Sequence, residues 1–249
     1  WDEVIDELKS VFRVTAVDLP GHGQTRTSLQ KGACAMDMVA AGLADLLKRI
    51  DTPQTHLWGY SMGGRLALYF AVNYPDHVDR LILESASPGI ADPDARRRRR
   101  EEDNAGAHSI ERFGVEAFVR DWITLPLFAT QSELPETTRN RALALRLENT
   151  TAGLAASLRE MGTGVQPALH ERLRDLRAPT LIVAGTSDEK FREIGQAMAH
   201  DIPESVFRII PHAGHAPHWE RPELSAQLAA AFLQNDEVPE FFSDPALSQ

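Results

Sequence analysis

The chain has 249 residues, 43% of them hydrophobic, and a formal net charge of −10 at pH 7. That length suits one large α/β domain with an inserted subdomain. The acidic balance argues against a nucleic-acid-binding surface, which needs clustered positive charge, and no apolar run reaches the roughly 18 to 20 residues of a membrane-spanning helix.

The start of the chain and its one cysteine add to these exclusions. Trp1-Asp2-Glu3 lacks the basic flank and apolar core of a signal peptide. We therefore expect a cytoplasmic protein that acts on a small molecule, with no nucleic-acid or membrane partner. Cys34 cannot form an intramolecular disulfide, and we predict that it packs as a small apolar residue in helical surroundings. Any anionic ligand must be bound by local arginines.

The first 88 residues alternate between helical and strand patterns. A helix is predicted around Asp2 to Lys9, and an apolar, β-branched strand over Val11 to Asp18 ends at Leu19-Pro20-Gly21. The alternation continues with a helix at 36–50, a strand at 55–58, a helix at 62–73 and a strand at 80–84. Such alternation predicts a parallel sheet with helices on both faces.

The composition and the hydrophobic pattern change between residues 89 and 178, where charged, Ala- and Leu-rich segments with helical spacing replace the β-branched runs. We interpret this stretch as an inserted helical cap in an α/β core formed by 1–88 and 179–234. The second part of the core contains a strand at 180–184, a helix at 190–200, a strand at 206–210 and a helix at 225–233. The acidic tail, 235–249, is expected to pack loosely on the surface.

Gly59-Tyr60-Ser61-Met62-Gly63 fits the pattern G-x-S-x-G between a predicted strand and a predicted helix. A strand that turns abruptly into a helix holds its serine in strained backbone geometry and crowds the neighbouring positions, which explains the flanking glycines. The turn exposes the hydroxyl near the positive end of the helix, and the N–H of Met62 can donate to a developing oxyanion. The pattern predicts Ser61 as the nucleophile-position residue.

A serine hydroxyl needs a base, and His215 is the candidate. It follows the small pair Ala213-Gly214 in a loop after the last predicted strand. The alternative is a metal site, because His212, His215 and His218 repeat at three-residue spacing. A proline-interrupted loop is a poor scaffold for that repeat.

Asp188 is the predicted acid that orients the histidine, because it directly follows the strand at 180–184 and gives the chain order Ser, Asp, His. In an alternative interpretation, Asp188 is the N-cap of the next helix. Glu84, at the end of an earlier core strand, is the rival acid. The shorter carboxylate after a Gly-containing turn has the freer approach to the histidine.

With these motifs, the chain resembles the α/β-hydrolase family along its length. Its motifs are most similar to those of one branch, the 2-succinyl-6-hydroxy-2,4-cyclohexadiene-1-carboxylate synthases of menaquinone biosynthesis. The matching segments are Asp18 to Gly23, Gly59 to Arg65, Ser87-Pro88-Gly89, the arginine run before Asp103, Asp121-Trp122, Arg146 before Asn149, Gly185 to Phe191, and Gly214-His215. Arg65, the later arginines and Trp122 are the specific part.

The resemblance implies a lyase that eliminates pyruvate from a polycarboxylate substrate without a metal or organic cofactor. Ser61 then serves in proton abstraction, activated by His215 and Asp188. The resemblance also assigns substrate contacts to Tyr60, Met62, Arg65, Arg99, Trp122 and Arg146. Most of the run Arg96 to Arg100 is expected to form a solvated helix surface balanced by nearby acids, with one or two of its members turned inward.

One expected motif has no counterpart after Trp1: the His-Gly loop that supplies half of the oxyanion hole in this family, together with the strands before it. We expect the sequence to be a fragment of a longer chain, since loss of strands exposes a sheet edge. The alternative is a shortened relative. Two rival functions also stay open, a carboxylesterase or carbon–carbon bond hydrolase with the same triad, and a non-catalytic ligand receptor on the same scaffold.

Overall fold

The computed structural model describes residues 1–25 and 31–240 of the chain. The residues group into two compact units. The first comprises Trp1–Ala16, Gln54–Ser87 and the chain from Arg172, and the second comprises Val17–Pro53 and Pro88–Glu171.

A parallel sheet of four strands forms the centre of the first unit, in the spatial order β1-β2-β3-β4. The strands are β1 (Thr55–Tyr60), β2 (Val78–Glu84), β3 (Thr180–Gly185) and β4 (Ser205–Ile210). Every residue of β3 is buried, as expected for a central strand of a parallel sheet. The carboxyl ends of all four strands meet at one edge, where ligands gather in open α/β sheets.

The helices of this unit come before, between and after the strands in the chain. They are α1 (Asp2–Leu8), α3 (Met62–Asn73), α7 (Glu189–Asp201), α8 (Pro217–Glu220) and α9 (Pro222–Gln234), with 3₁₀ turns at Pro75–His77 and His170–Asp175. α9 buries Leu228, Ala229 and Phe232 against Ile82 of β2 and Leu181 of β3. This burial of apolar area is what fixes the helix on the sheet.

The second unit is helical. It contains α2 (Met36–Arg49), α4 (Pro93–Trp122), α5 (Glu136–Leu147), α6 (Thr151–Met161) and a 3₁₀ segment at Pro126–Glu133. Ala107 and Ile110 of α4 pack against Ala155 of α6. Gly114 interrupts α4 with a φ of 83°, a conformation that glycine adopts without a steric penalty.

Residues 17–53 therefore pack with 88–171, although the sequence pattern placed them with the core segment 1–88. A close backbone contact between these two stretches illustrates this packing. A Cβ on Gly21 would lie 2.6 Å from the carbonyl oxygen of Gly153, so the turn after Pro20 contacts the start of α6 directly. The cap boundaries 89–178 remain a prediction.

With one exception, the predicted helices and strands of the core are confirmed, with ends that differ by at most three residues. The strand predicted over Val11 to Asp18 is wrong. Val11, Val14 and Val17 are 55%, 38% and 45% exposed, and none of the described strands pairs with this segment. A β-branched run forms a strand only where a neighbouring strand supplies the hydrogen bonds.

The expected loose packing of the tail is wrong for Val238 and Pro239, whereas residues 235–237 are exposed. Arg208 of β4 donates from Nε to the Pro239 carbonyl at 3.1 Å and from Nη2 to the Val238 carbonyl at 3.2 Å. Val238 also packs against the cluster around Phe232. The rest of the tail, 241–249, lies outside the described residues.

In the part of the chain that the structure describes, no helix is long and apolar enough to cross a bilayer.

Candidate active site

Ser61 lies at the junction of β1 and α3 with φ 49° and ψ −110°. Positive φ is uncommon for a residue with a side chain, and such strain concentrates at functional sites. Two hydrogen bonds hold the turn, since Ser61 N–H donates to the Glu84 carbonyl at 2.8 Å and Arg65 N–H donates to the Ser61 carbonyl at 3.0 Å. The serine is therefore fixed at the carboxyl edge of the sheet.

Only two of the three glycines in this turn are required by close packing. A Cβ on Gly59 would lie 2.6 Å from Cα of Gly64, and a Cβ on Gly64 would lie 2.6 Å from Cβ of Ala86. At Gly63, by contrast, an added Cβ meets no atom of the described residues within 4 Å. The expected crowding at Gly63 is wrong because a side chain at this position would extend into open space.

His215 lies in the loop after β4 and is buried. Its Nε2 is 3.1 Å from Ser61 Oγ, and its Nδ1 is 2.7 Å from Asp188 Oδ2. These are hydrogen-bond distances. The structure therefore brings the three predicted catalytic residues into one chain of contacts, the arrangement in which a carboxylate holds an imidazole that accepts a proton from serine.

Asp188 stands at the N-cap position of α7, but its side chain makes no capping hydrogen bond. The buried carboxylate turns to His215 instead. A capping role, the alternative interpretation of this residue, is therefore not the one that the side chain adopts.

Glu84, the rival acid, binds a different histidine. Its Oε1 lies 2.7 Å from His218 Nδ1 and accepts the His218 backbone N–H at 3.1 Å, while its Oε2 accepts from Trp58 Nε1 at 3.1 Å. Glu84 and His218 are both buried. Among the described residues, the first unit thus contains two buried carboxylate–imidazole pairs, and the pair that reaches Ser61 is the one with Asp188.

The same contacts bear on the alternative of a metal site. His215 and His218, two of the three histidines in the repeat, are directed to two different carboxylates. Within residues 1–25 and 31–240, no group of three His, Cys, Asp or Glu side chains is arranged to hold a metal ion.

Two aromatic rings contact the His215 imidazole. The Tyr60 ring centroid is 5.3 Å away, and that of Phe191 in α7 is 4.6 Å away. Tyr60 was predicted to shape the pocket. The contact of Phe191 was not predicted, because a phenylalanine in an amphipathic helix has the same sequence signature as an ordinary core residue.

Met62 and Arg65 lie in the first unit with the triad. Met62 is the first residue of α3, directly after Ser61, and Arg65 stands one turn along the same helix with its side chain partly buried. The positive end of the helix is therefore next to the serine hydroxyl.

The arginine run lies near the start of α4 in the second unit. Arg97, Arg98 and Arg100 are exposed, whereas Arg96 and Arg99 are partly buried. Arg99 Nε donates to the buried Asp103 carboxylate at 2.7 Å, and the same carboxylate accepts from Gly164 N–H at 3.1 Å. An α-helix places only every third or fourth residue on the same face. The exposure of most of this run therefore agrees with the expected solvated surface.

Trp122 and Arg146, the other two predicted substrate contacts of the second unit, meet at Phe128. The Trp122 and Phe128 ring centroids are 5.6 Å apart, and the Arg146 guanidinium lies 5.9 Å from the Phe128 ring. Arg146 also donates to Gln131 Oε1 at 2.9 Å. The structure thus brings these two residues together within their own unit.

Cys34 packs as an apolar residue, but in a turn and not in the expected helix. Its N–H donates to the Glu160 carboxylate at 2.8 Å. Burial, and then the negative charge of Glu160, raises the pKa of the Cys34 thiol to about 11. The thiol is therefore protonated at neutral pH and is a poor nucleophile.

The comparison with known proteins agrees with the fold and the site described above. A family model described as the alpha/beta hydrolase fold matches residues 1–222. A protein of Bacillus subtilis (strain 168), provisionally named as a 2-succinyl-6-hydroxy-2,4-cyclohexadiene-1-carboxylate synthase, is 40% identical over 229 residues, or 92% of this chain and 84% of its own length.

Two further proteins are similar over most of the chain. The 2-succinyl-6-hydroxy-2,4-cyclohexadiene-1-carboxylate synthase of Enterobacter sp. (strain 638) is 34% identical over 234 residues, 94% of this chain and 86% of that protein. The solved structure of MenH from S. aureus superposes with a TM-score of 0.89 at 38% identity, covering 93% of this chain and 86% of the other.

Proposed function

Because the chain belongs to the α/β-hydrolase family and, within it, groups with the 2-succinyl-6-hydroxy-2,4-cyclohexadiene-1-carboxylate synthases, we propose that it is a carbon–oxygen lyase. It eliminates pyruvate from 2-succinyl-5-enolpyruvyl-6-hydroxy-3-cyclohexene-1-carboxylate and leaves 2-succinyl-6-hydroxy-2,4-cyclohexadiene-1-carboxylate. The observation that carries the proposal is the hydrogen-bonded chain from Ser61 through His215 to Asp188.

The reaction balances without water or a redox partner. A base removes the proton from ring carbon 2, and its electron pair forms a double bond between carbons 2 and 3. The double bond between carbons 3 and 4 shifts to carbons 4 and 5, and the bond between carbon 5 and the enolpyruvyl oxygen breaks. The departing group takes up a proton and becomes pyruvate. The protein must therefore supply a base and stabilise negative charge, and it does not need to form an acyl-enzyme.

The triad residues divide these tasks. His215 Nε2 takes the Ser61 hydroxyl proton, so that the serine oxygen can abstract the ring proton. Asp188 holds the imidazole in the required tautomer and stabilises its positive charge. Burial of His215 and Asp188 favours this role, since their mutual interaction is stronger away from water. The backbone N–H of Met62 is the donor that we assign to the developing oxyanion.

Arginines supply the contacts to the substrate carboxylates. In a chain of net charge −10, a polycarboxylate is bound only where guanidinium groups are held locally. We assign this role to Arg65, Arg99 and Arg146, with Tyr60 and Trp122 as aromatic contacts. Asp103 and Gln131 support the assignment because they fix the orientation of Arg99 and Arg146.

The partner of this chemistry is a small molecule, and we expect the reaction to take place in the cytoplasm without a nucleic-acid or membrane partner. The oligomeric state does not enter the mechanism.

The test is pyruvate release by the purified chain from the enolpyruvyl substrate, followed by coupling to lactate dehydrogenase. We expect one pyruvate per substrate, and a loss of about 10²- to 10⁴-fold for Ser61→Ala, the usual contribution of positioned proton transfer. Hydrolysis of an activated ester with a burst, and no pyruvate release, would establish the esterase instead. Tight binding of the substrate without turnover would indicate a ligand receptor.

A further inference from the structure

The loop that carries His215 is buried although it has no regular secondary structure up to the start of α8. Residues 213–218 are all buried. A buried loop must find partners for its backbone N–H groups, because an unpaired buried donor costs about as much as a lost hydrogen bond. The partners that this loop uses therefore determine where His215 sits.

Glu220, at the end of α8, supplies partners on both sides of His215. Its Oε2 accepts the Gly214 N–H at 2.7 Å, and its Oε1 accepts the Ala216 N–H at 3.1 Å. The carboxylate is itself buried, with 8% of the residue exposed. Hydrogen bonds to an ionised carboxylate are roughly twice as strong as neutral ones.

These two bonds fix the backbone on either side of one residue. The Ala213–Gly214 and His215–Ala216 peptide groups cannot rotate without breaking a bond to Glu220. The backbone of Gly214 and His215 is therefore held at both ends, which restrains the direction of the Cα–Cβ bond of His215. That direction places Nε2 at 3.1 Å from Ser61 and Nδ1 at 2.7 Å from Asp188. A misplacement of about 1 Å in such a site can reduce the rate about 100-fold.

We infer that Glu220 is a positioning residue, whose carboxylate holds the backbone on both sides of His215 and so keeps the imidazole aligned between Asp188 and Ser61. This inference rests on the role proposed above for His215. Other anchors of the loop act further from the imidazole, through the Ala213 carbonyl, which accepts from Ser187 N–H at 2.9 Å, and through His218, which binds Glu84.

The substitution that isolates this role is Glu220→Gln. Glutamine has the same shape, so the packing of the loop is retained, but its side chain has one acceptor oxygen and one NH₂ donor. Only one of the two N–H groups can keep its bond, and the other faces a donor. Glu223→Gln is the matched control, since Glu223 lies three residues further along, in the first turn of α9, and is exposed.

Two measurements on the full chain test the inference. Amide hydrogen exchange at Gly214 and Ala216 reports the two bonds directly, and we expect faster exchange in Glu220→Gln and no change in Glu223→Gln. Labelling of Ser61 by a fluorophosphonate reports the action of His215. In that reaction the serine oxygen bonds to phosphorus, fluoride leaves, and His215 takes the hydroxyl proton.

The maximal labelling rate of Glu220→Gln should fall about 10- to 100-fold, with the probe concentration for half-maximal rate changed less than about twofold. A purely structural role would lower the rate only in proportion to the unfolded fraction, which calorimetry on the same sample measures. A wild-type labelling rate, a loss that follows the unfolded fraction, or unchanged exchange at both amides would each overturn the inference.

Neither measurement uses the lyase substrate. If the wild-type chain releases no pyruvate and Glu220→Gln still exchanges faster and labels more slowly, the proposed reaction is wrong and the positioning role stands.

Discussion

At the scale of single residues, the two buried carboxylate–histidine pairs of the first unit differ in what else their imidazoles contact. His215 reaches Ser61, whereas His218 stacks on Trp1 with a centroid distance of 4.2 Å and contacts the Tyr60 ring, tilted by 58°, at 4.6 Å. The first arrangement suits proton transfer. The second suits packing, because the imidazole is held among aromatic rings.

This difference predicts opposite outcomes for two substitutions. Asp188→Asn should reduce turnover per folded molecule by about 10²- to 10⁴-fold, because an amide cannot hold the same His215 tautomer and stabilise its charge. Glu84→Gln should mainly lower thermal stability, because Glu84 accepts three hydrogen bonds in the core. Steady-state kinetics and calorimetry on both variants distinguish the catalytic role of Asp188 from the structural role of Glu84. A severe catalytic loss in Glu84→Gln with a mild one in Asp188→Asn would reverse the assignment of the acid.

Arg65 provides a second prediction at this scale. If its guanidinium binds a substrate carboxylate through two parallel hydrogen bonds, Arg65→Lys should be nearly as harmful as Arg65→Ala, since an ammonium cannot reproduce that geometry. The expected loss in kcat/KM is about 2 to 4 kcal/mol for the polycarboxylate, with little effect on a neutral ester. Equal losses for both substrates would mean that Arg65 supports the turn structurally.

At the scale of elements, the close packing of β1 against α3 depends on particular glycines. Gly59 and Gly64 lie where the strand end, the helix start and Ala86 approach one another, and Gly63 does not. The strained φ of Ser61 is maintained by this contact, because the helix can follow the strand so abruptly only where no Cβ intervenes.

Substitution by alanine should therefore change the unfolding free energy differently at Gly64 and at Gly63. Gly64→Ala should destabilise the fold by about 1 to 3 kcal/mol, the usual effect of forcing extra atoms into a packed site. Gly63→Ala should leave the unfolding free energy nearly unchanged or slightly raise it, because alanine favours helix. Denaturant unfolding of the two variants provides the comparison. A Gly64→Ala variant as stable as the wild type would show that the crowding at Gly64 relaxes without strain, and would contradict the prediction.

At the scale of the whole molecule, ionisation of buried and partly buried groups couples stability to pH. Burial lowers the pKa of His22 and of His56 below the usual value of 6.5. At the alkaline end, burial raises the pKa of Cys34 from 9.0 to about 11, so its contribution to stability is complete below pH 9 and is lost as the pH rises towards 11.

For the two histidines, the folded state binds protons less readily than the unfolded state. Their contribution to stability is therefore present above the unfolded pKa of 6.5 and is lost as the pH falls below it. We predict that the melting temperature falls between about pH 7.5 and pH 5.5, and that the double variant His22→Gln/His56→Gln shows a shallower slope. The slopes are compared because the substitutions also change the absolute stability. Parallel curves would contradict the prediction.

Apart from the segment Val11 to Asp18, the sequence by itself determined the order of strands and helices in the first unit, and it determined the identity of the serine turn. Both depend on local patterns. Helices bury residues at a spacing of about 3.6 and strands at a spacing of 2, and the G-x-S-x-G turn is encoded within five residues. For the same reason, the sequence could place Asp188 and His215 after strands whose carboxyl ends meet at one edge.

Only the tertiary structure decided which groups pair. Ser61 and His215 are 154 residues apart, and Glu84 and His218 are 134 apart, so no local pattern distinguishes the two carboxylates. The same applies to Val11 to Asp18, whose sequence favours a strand that no described neighbour completes, and to Val238 and Pro239, whose backbone oxygens are bound by Arg208. Glu220 lies close to His215 in sequence, yet its role depends on how the loop folds back. A side chain's type sets what it can bond, but the fold sets which partner lies within reach.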